Sequence, residues 1–301
     1  MSFPKKVILT EVGPRDGLQS VSNFVSTNQK LNMIHGLVDA GLKQIQVASF
    51  VHPKWVPQMA DAEEICANLP KADNVIFSGL ALNNRGVERA IKANLQRVEV
   101  SISTSETHSK KNANMTLEEA MKNLKSMVKL AKGNGLEVRA GLQAVWGCVY
   151  DGIPPINRIV EMSKAILDLG VNTLSLSDST GMGNPHSIKK TLKHILPRAR
   201  NTPIVLHLHD TRGLGLANVV AALEMGVNQF DASLGGIGGC PFIKGATGNI
   251  ATEDTVNLFH ELGIETGIDI KKVAAVSQSL APVTGENYFS GKLYKIAESL
   301  K

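Results

Sequence analysis

A chain of 301 residues with 43% hydrophobic and 20% charged residues has the composition of a globular protein large enough to bury an ample core. Its net charge of +5 is spread over isolated doublets such as Lys110-Lys111, Lys189-Lys190 and Lys271-Lys272, and aromatics make up only 4%; this argues against a nucleic-acid surface and leaves a polyanionic small molecule as a compatible partner. No stretch approaches the ~18 to 20 uninterrupted apolar residues of a membrane span, and the opening Met-Ser-Phe-Pro-Lys-Lys leaves no room for a signal peptide, so a cytoplasmic protein is expected.

The first apolar run, residues 7–12, reads as a buried strand. It leads into Gly13-Pro14-Arg15-Asp16-Gly17, a turn that sets a guanidinium beside a carboxylate. Alone, such a pair is more often a solvated turn. At a strand end that opens onto a site, it is a cation next to a metal-binding anion. Residues 28–40 carry helical spacing and end on Ala40-Gly41-Leu42, a glycine helix stop. Further strands are expected at 45–48, 75–80, 98–102, 138–142, 173–176, 204–208 and 229–233. Helices are expected at 85–93, 116–132, 157–169 and 185–196, with Leu169-Gly170-Val171 and Met225-Gly226-Val227 repeating the glycine stop.

Eight strand-helix units in about 250 residues are the size of a closed (β/α)₈ TIM barrel, whose catalytic groups lie at the carboxyl ends of the strands. The expected layout is a single domain, the barrel at about 5–263 with a C-terminal extension at about 264–301 that includes a helix from 269 to 280. An open doubly wound sheet is the competing architecture, but no G-x-G-x-x-G follows the first strand.

The seventh strand closes on His207-Leu208-His209-Asp210. With a period of two, both imidazoles project to one face and can share a divalent ion. Asp16 completes the set if the first and seventh strands open onto the same mouth. Nitrogen and oxygen ligands without thiolate suit Mg²⁺ or Mn²⁺. After the eighth strand come Gly235-Gly236-Ile237-Gly238-Gly239-Cys240-Pro241 and Gly245-Ala246-Thr247-Gly248-Asn249. These glycines let backbone approach a ligand closely and place Cys240 on a loop at the mouth. Cys66 and Cys148 read instead as small buried hydrophobes, and the three cysteines lack the spacing of a disulfide framework or a zinc site. Asn249 is either a helix cap or an amide ligand.

Taken in order, five segments resemble the 3-hydroxy-3-methylglutaryl-CoA lyases: Glu11-Val-Gly-Pro-Arg-Asp-Gly-Leu-Gln19, Ser49-Phe-Val-His-Pro-Lys-Trp-Val-Pro-Gln-Met59, Ser105-Glu106 with Lys110-Lys-Asn112, His207-Leu-His-Asp210, and Gly238-Gly-Cys-Pro241 through Ala246-Thr-Gly-Asn249 to Ala251-Thr-Glu-Asp254. The resemblance implies that Asp16, His207, His209 and Asn249 hold the metal. It makes Arg15 the group that stabilises the enolate of the departing acetyl thioester and Cys240 the catalytic thiol. It gives His207 a second role as proton acceptor and Asp178 that of an active-site aspartate. Gln19 and Ser49 fall at pocket positions, and Lys110 with Asn112 at a CoA-phosphate anchor. The implied reaction is a metal-dependent retro-Claisen cleavage to acetyl-CoA and acetoacetate, with an acyl-CoA substrate and a homodimeric enzyme.

The chain departs from that pattern in the pocket: Gln46 stands where glutamate is usual, Gly141 and Gln143 where a tyrosine and a small polar residue are commoner, Ser177 for a glycine, and His108 for an aromatic. The departures keep open a lyase for a related 3-hydroxyacyl-CoA thioester, an aldolase or acyl-CoA condensing enzyme, and a weakened CoA-binding relative.

Overall fold

The computed structural model describes residues 3–239, 247–296 and 299. Eight parallel strands pair in sequence order and close into a barrel: β1 (Ile8–Glu11), β2 (Gln44–Ser49), β3 (Ile76–Ala81), β4 (Arg97–Ser103), β5 (Glu137–Gln143), β6 (Thr173–Asp178), β7 (Ile204–Leu208) and β8 (Gln229–Ala232). The ring shuts where β8 returns to β1, with Ile8 opposite Gln229 and Glu11 opposite Ala232. Parallel neighbours need crossovers, and helices supply them. They are α1 (Thr27–Asp39), α2 (Ala62–Ala67), α3 (Asn84–Lys92), α4 (Glu106–Ala113), α5 (Leu117–Gly133), α6 (Ile156–Leu167), α7 (Pro185–Ala199), α8 (Gly215–Leu223), α9 (Thr252–Glu261) and α10 (Ile270–Thr284). The architecture is the TIM barrel expected from the alternation of elements. Among the described residues no helix is long and apolar enough to cross a membrane.

Local chemistry explains where the helices begin and end. Capping boxes open α1 (Ser26 with Gln29), α5 (Thr116 with Glu119) and α7 (Asn184 with Ser187). The three glycine stops are left-handed, Gly41 at φ +98°, Gly170 at +68° and Gly226 at +86°, as a chain turning from helix into strand requires. Three helices are not announced by periodicity. α2 spans only six residues, and α4 is polar throughout, held by the Ser105 cap and a left-handed Asn114. α8 is buried on most of its circumference, at Gly215, Asn218, Val219, Ala221, Ala222 and Leu223, so it shows no polar face to contrast with an apolar one.

The apolar core lies between strands and helices, where Phe230 of β8 stacks on Phe259 of α9 with ring centroids 5.7 Å apart. The lumen is polar instead. Thr10, Gln44 and Arg97 hydrogen-bond across its lower part, and Ser78 donates to Glu99 above them. α10 lies beyond the eighth unit and packs on α1, where Gly36 makes room for Val276. The stretch leading to it pairs Glu265 with the chain start through Val7 N to Glu265 O (3.0 Å).

Candidate active site

The carboxyl ends of the strands surround a cavity of about 780 Å³ whose wall includes Arg15, Asp16, Glu99, Arg139, His207, His209 and Asp231. β1 feeds it through a single π-helical turn, Gly13–Gly17, in which Asp16 N and Gly17 N both reach back to Val12 O. The turn is held from beneath by Glu11. Its buried carboxyl accepts from Gly13 N (2.7 Å), Leu234 N (2.9 Å) and Thr252 Oγ1 (2.6 Å). Burial pushes that carboxyl up to about 8 against the pull of these donors. Gly17 has no room for a side chain, because a Cβ there would come within 2.6 Å of Ile237.

Arg15 and Asp16 leave this turn in contact with each other, Arg15 Nη1 donating to Asp16 Oδ1. Arg15 Nε donates to Gln46 Oε1, so the guanidinium is gripped from two directions. Gln46 is fully buried, and its Nε2 has no hydrogen-bond partner. Burial alone would raise the Asp16 carboxyl, but the charges of Arg15, His207 and His209 hold it well below the usual carboxylate range.

Strand register brings the other groups in. His207 on β7 is the register partner of Asp231 on β8, and its Nδ1 lies 3.0 Å from Asp231 Oδ2. A carboxylate there accepts the Nδ1 proton and leaves the Nε2 lone pair facing the cavity. Arg139 donates to the same carboxylate and, at 3.1 Å, to Ser175. Glu99, the register partner of Arg139, lies 3.5 Å from Arg139 Nε. His209 follows the end of β7 with its Nε2 3.1 Å from His207 Nε2. Burial, with His207 beside it, lowers His209 to about 4, so it is a neutral imidazole. Asn249 reaches the site because the returning loop runs beside β7, Asp210 N bonding Gly248 O (3.0 Å) and Ile250 N bonding Leu208 O (3.1 Å). Its Nδ2 donates to Asp16 Oδ2 (2.8 Å), while its buried Oδ1 has no partner.

Ligand atoms of Asp16, His207 and His209 all lie within 4.8 Å of one another. Two neutral imidazoles, one carboxylate kept ionised and the unpaired Asn249 oxygen are a donor set that fits a divalent cation without thiolate.

The remaining expectations divide. Gln19 and Asn112 line the cavity, as do Gly141, Gln143, Ser177 and His108. Ser49 is fully buried, its hydroxyl without a partner, and is not part of the wall. Lys110 is a correction: its ammonium lies 3.3 Å from Glu106 one helical turn back on α4, and the neighbouring Lys111 lines the cavity in its place. Asp178 is also off the wall. Its carboxylate accepts from Met182 N (3.0 Å) and Gly183 N (2.9 Å), tying the loop after β6, and burial raises it to about 6. Cys240 lies outside the described residues; Gly239, just before it, lines the cavity. Cys148, read from sequence as a core thiol, is buried yet also reaches the wall.

Sequence reading passed over Glu11, Glu99, Arg139, Asp231 and Glu253. Four of the five sit in or at the end of strands otherwise filled with apolar residues, where an ionisable side chain has only the lumen to enter. That anomaly of pattern was the available signal.

The sequence matches the HMGL-like family over residues 6–280. It is 39% identical over 286 residues to a hydroxymethylglutaryl-CoA lyase of Bacillus subtilis, covering 95% of this chain and 96% of that one. It is 40% identical over 272 residues to the mitochondrial hydroxymethylglutaryl-CoA lyase of Bos taurus, covering 90% and 84%. The crystal structure of the B. subtilis HMG-CoA lyase superposes with a TM-score of 0.95 at 37% identity, over 99% of this chain and all of that one. An HMG-CoA lyase of Acinetobacter baumannii in complex with coenzyme A and 3-methylmalate gives 0.93 at 36% identity, over 98% and 96%.

Proposed function

The chain belongs to the HMGL-like family, and from that premise we propose that it cleaves 3-hydroxy-3-methylglutaryl-CoA to acetyl-CoA and acetoacetate by a retro-Claisen reaction. The observation that carries the proposal is the convergence of Asp16, His207 and His209 beside Arg15 in one cavity, within a chain about 39% identical to named lyases.

Asp16, His207, His209 and the Asn249 oxygen would hold Mg²⁺ or Mn²⁺, which when bound supplies Lewis acidity to substrate oxygens. Arg15, fixed by Gln46 and Asp16, presents its remaining N–H groups to the thioester oxygen as negative charge develops there. Gln46 does this without a charge of its own, so the guanidinium keeps more of its field for the substrate than it would beside glutamate. His207 has Nδ1 committed to Asp231. As a ligand through Nε2 it has no lone pair left for a proton, which favours the ligand role over that of proton acceptor. Cys240, one residue beyond the cavity wall at Gly239, is our choice for the acid that protonates the acetyl enolate carbon. In the balance of the reaction, the C3 hydroxyl loses its proton, the carbon-carbon bond breaks to form the ketone, and the enolate carbon gains a proton.

Asp178 is assigned to positioning the loop after β6. Lys111, Asn112 and Gln19, on the wall, are the proposed contacts for the CoA portion. Free thiols at Cys66 and Cys148 fit a reducing compartment such as the cytoplasm. The test is acetoacetate release from 3-hydroxy-3-methylglutaryl-CoA by purified protein with Mg²⁺ or Mn²⁺, against a chelated control. No release from a protein that still binds CoA would sink the proposal.

A further inference from the structure

The chain after α10 touches two loops of the active-site mouth, and the reaction proposed above gives it no task. On one side, Ser22 N donates to Tyr288 Oη (3.1 Å) and Tyr288 Oη donates to Ser22 Oγ (2.9 Å). Asn23 Nδ2 adds a bond to Thr284 O (3.4 Å). Ser22 and Asn23 belong to the loop that begins with the π turn of Arg15 and Asp16.

On the other side, Ser290 Oγ donates to Gly236 O (3.0 Å) and Gly291 N donates to Gly235 O (2.8 Å). The fit there is steric as well. A Cβ on Gly291 would come within 2.8 Å of Ala251 and 2.9 Å of Gly235, and one on Gly235 would enter the Phe289 ring. Gly235 and Gly236 take left-handed conformations (φ +57° and +67°), which glycine alone adopts without strain. They open the loop that runs through Gly239 on the cavity wall towards Cys240. Downstream, Leu293 N bonds Asp254 Oδ1 (2.8 Å) and Gln278 Nε2 bonds Tyr294 O (2.6 Å), which fastens the far end to α9 and α10.

We infer that residues 288–291 form a strap that holds the loop after β1 and the loop after β8 in one fixed relation across the mouth. Tyr288 grips the first loop, Phe289, Ser290 and Gly291 grip the second, and all four are positioning residues. The two loops already meet beneath the strap, where Gly17 packs on Ile237 and Gly13 on Leu234. The strap closes that contact from outside, so the Arg15 turn and the base of the glycine-rich loop move as a single body. The kinetic consequence rests on the lyase reading; the mechanical one does not.

Hydrogen exchange followed by mass spectrometry on the intact protein tests the mechanical part. Tyr288→Phe removes only the O–H that reaches Ser22. The strap requires faster exchange, by a factor of about 3 or more, both in residues 20–25 and in residues 234–237. Gly291→Ala should loosen the same two segments from the opposite end, and Ser290→Ala offers a milder variant if that chain does not fold. Acceleration confined to the loop nearest each substitution would overturn the inference, since it would make the contacts two independent ties. For the kinetic part, Tyr288→Phe and Ser290→Ala should each lower kcat roughly 3- to 10-fold, and the double variant should be no slower than the poorer single. Losses that multiply would overturn the coupling. If the parent cleaves no thioester, the lyase reading fails while the exchange experiment still decides the strap.

Discussion

Asp231 Oδ2 stands 3.0 Å from Nδ1 of His207, on neighbouring strands at the same register. The carboxylate is shared with Arg139, so the imidazole is held in one tautomer by a group that is itself held. Replacing it by Asp231→Asn keeps the volume and removes the charge. Mn²⁺ affinity should fall about 10- to 100-fold, measured by titration on protein whose circular dichroism is unchanged. Unaltered affinity would remove Asp231 from the account of the metal site.

Arg15 is gripped at Nε by Gln46 and at Nη1 by Asp16. A lysine has one charged nitrogen and no fork to reach both. Arg15→Lys should therefore reduce turnover by a factor on the order of 10² or more, with Mn²⁺ binding little changed. A large loss of metal in this variant would contradict the division of labour between Arg15 and Asp16.

His209 is a neutral imidazole with Nε2 turned to His207. His209→Ala should weaken Mn²⁺ binding by at least about tenfold, and activity should return in part at high metal concentration. Equal affinity in the two proteins refutes a ligand role.

Glu253 lies fully buried at the start of α9, accepting from Gly235 N (2.7 Å) and from Ser277. Burial raises its carboxyl from 4.5 to about 7. The folded protein thus holds this proton where the unfolded chain has released it. Stability associated with the group is complete below about 4.5 and is lost as pH rises towards 7, by ~3 kcal/mol over the whole interval. Glu253→Gln, neutral at every pH, should gain in Tm relative to the parent between pH 5 and pH 8. A difference that stays constant across that range would show that Glu253 does not titrate in the folded protein.

The barrel was legible because its crossovers obey local rules that short runs of sequence display. All eight strands were foreseeable as apolar runs, and three helix ends were marked by Gly41, Gly170 and Gly226. α8 was not, because burial on most sides erases the contrast that periodicity detects. At the site, Asp16, His207 and His209 could be nominated from spacing and resemblance. Asp231 and Arg139 could not, since their meaning depends on which strands become neighbours and in what register. Lys110 and Lys111 show the same limit at finer scale: one residue of rotation about α4 decides which ammonium faces the cavity, and a lysine doublet does not encode it.

Asp16 and Asn249, joined by a 2.8 Å bond, are 233 positions apart in the chain. Between them lies nearly the whole ring, so the pair can meet only after β8 has found β1. A nascent chain lacking its last strand owns both histidines and Asp16 yet not the fourth donor. Cation affinity is thereby made to report on completion of the barrel, and by linkage any ion held there stabilises the closed ring over every partly assembled one.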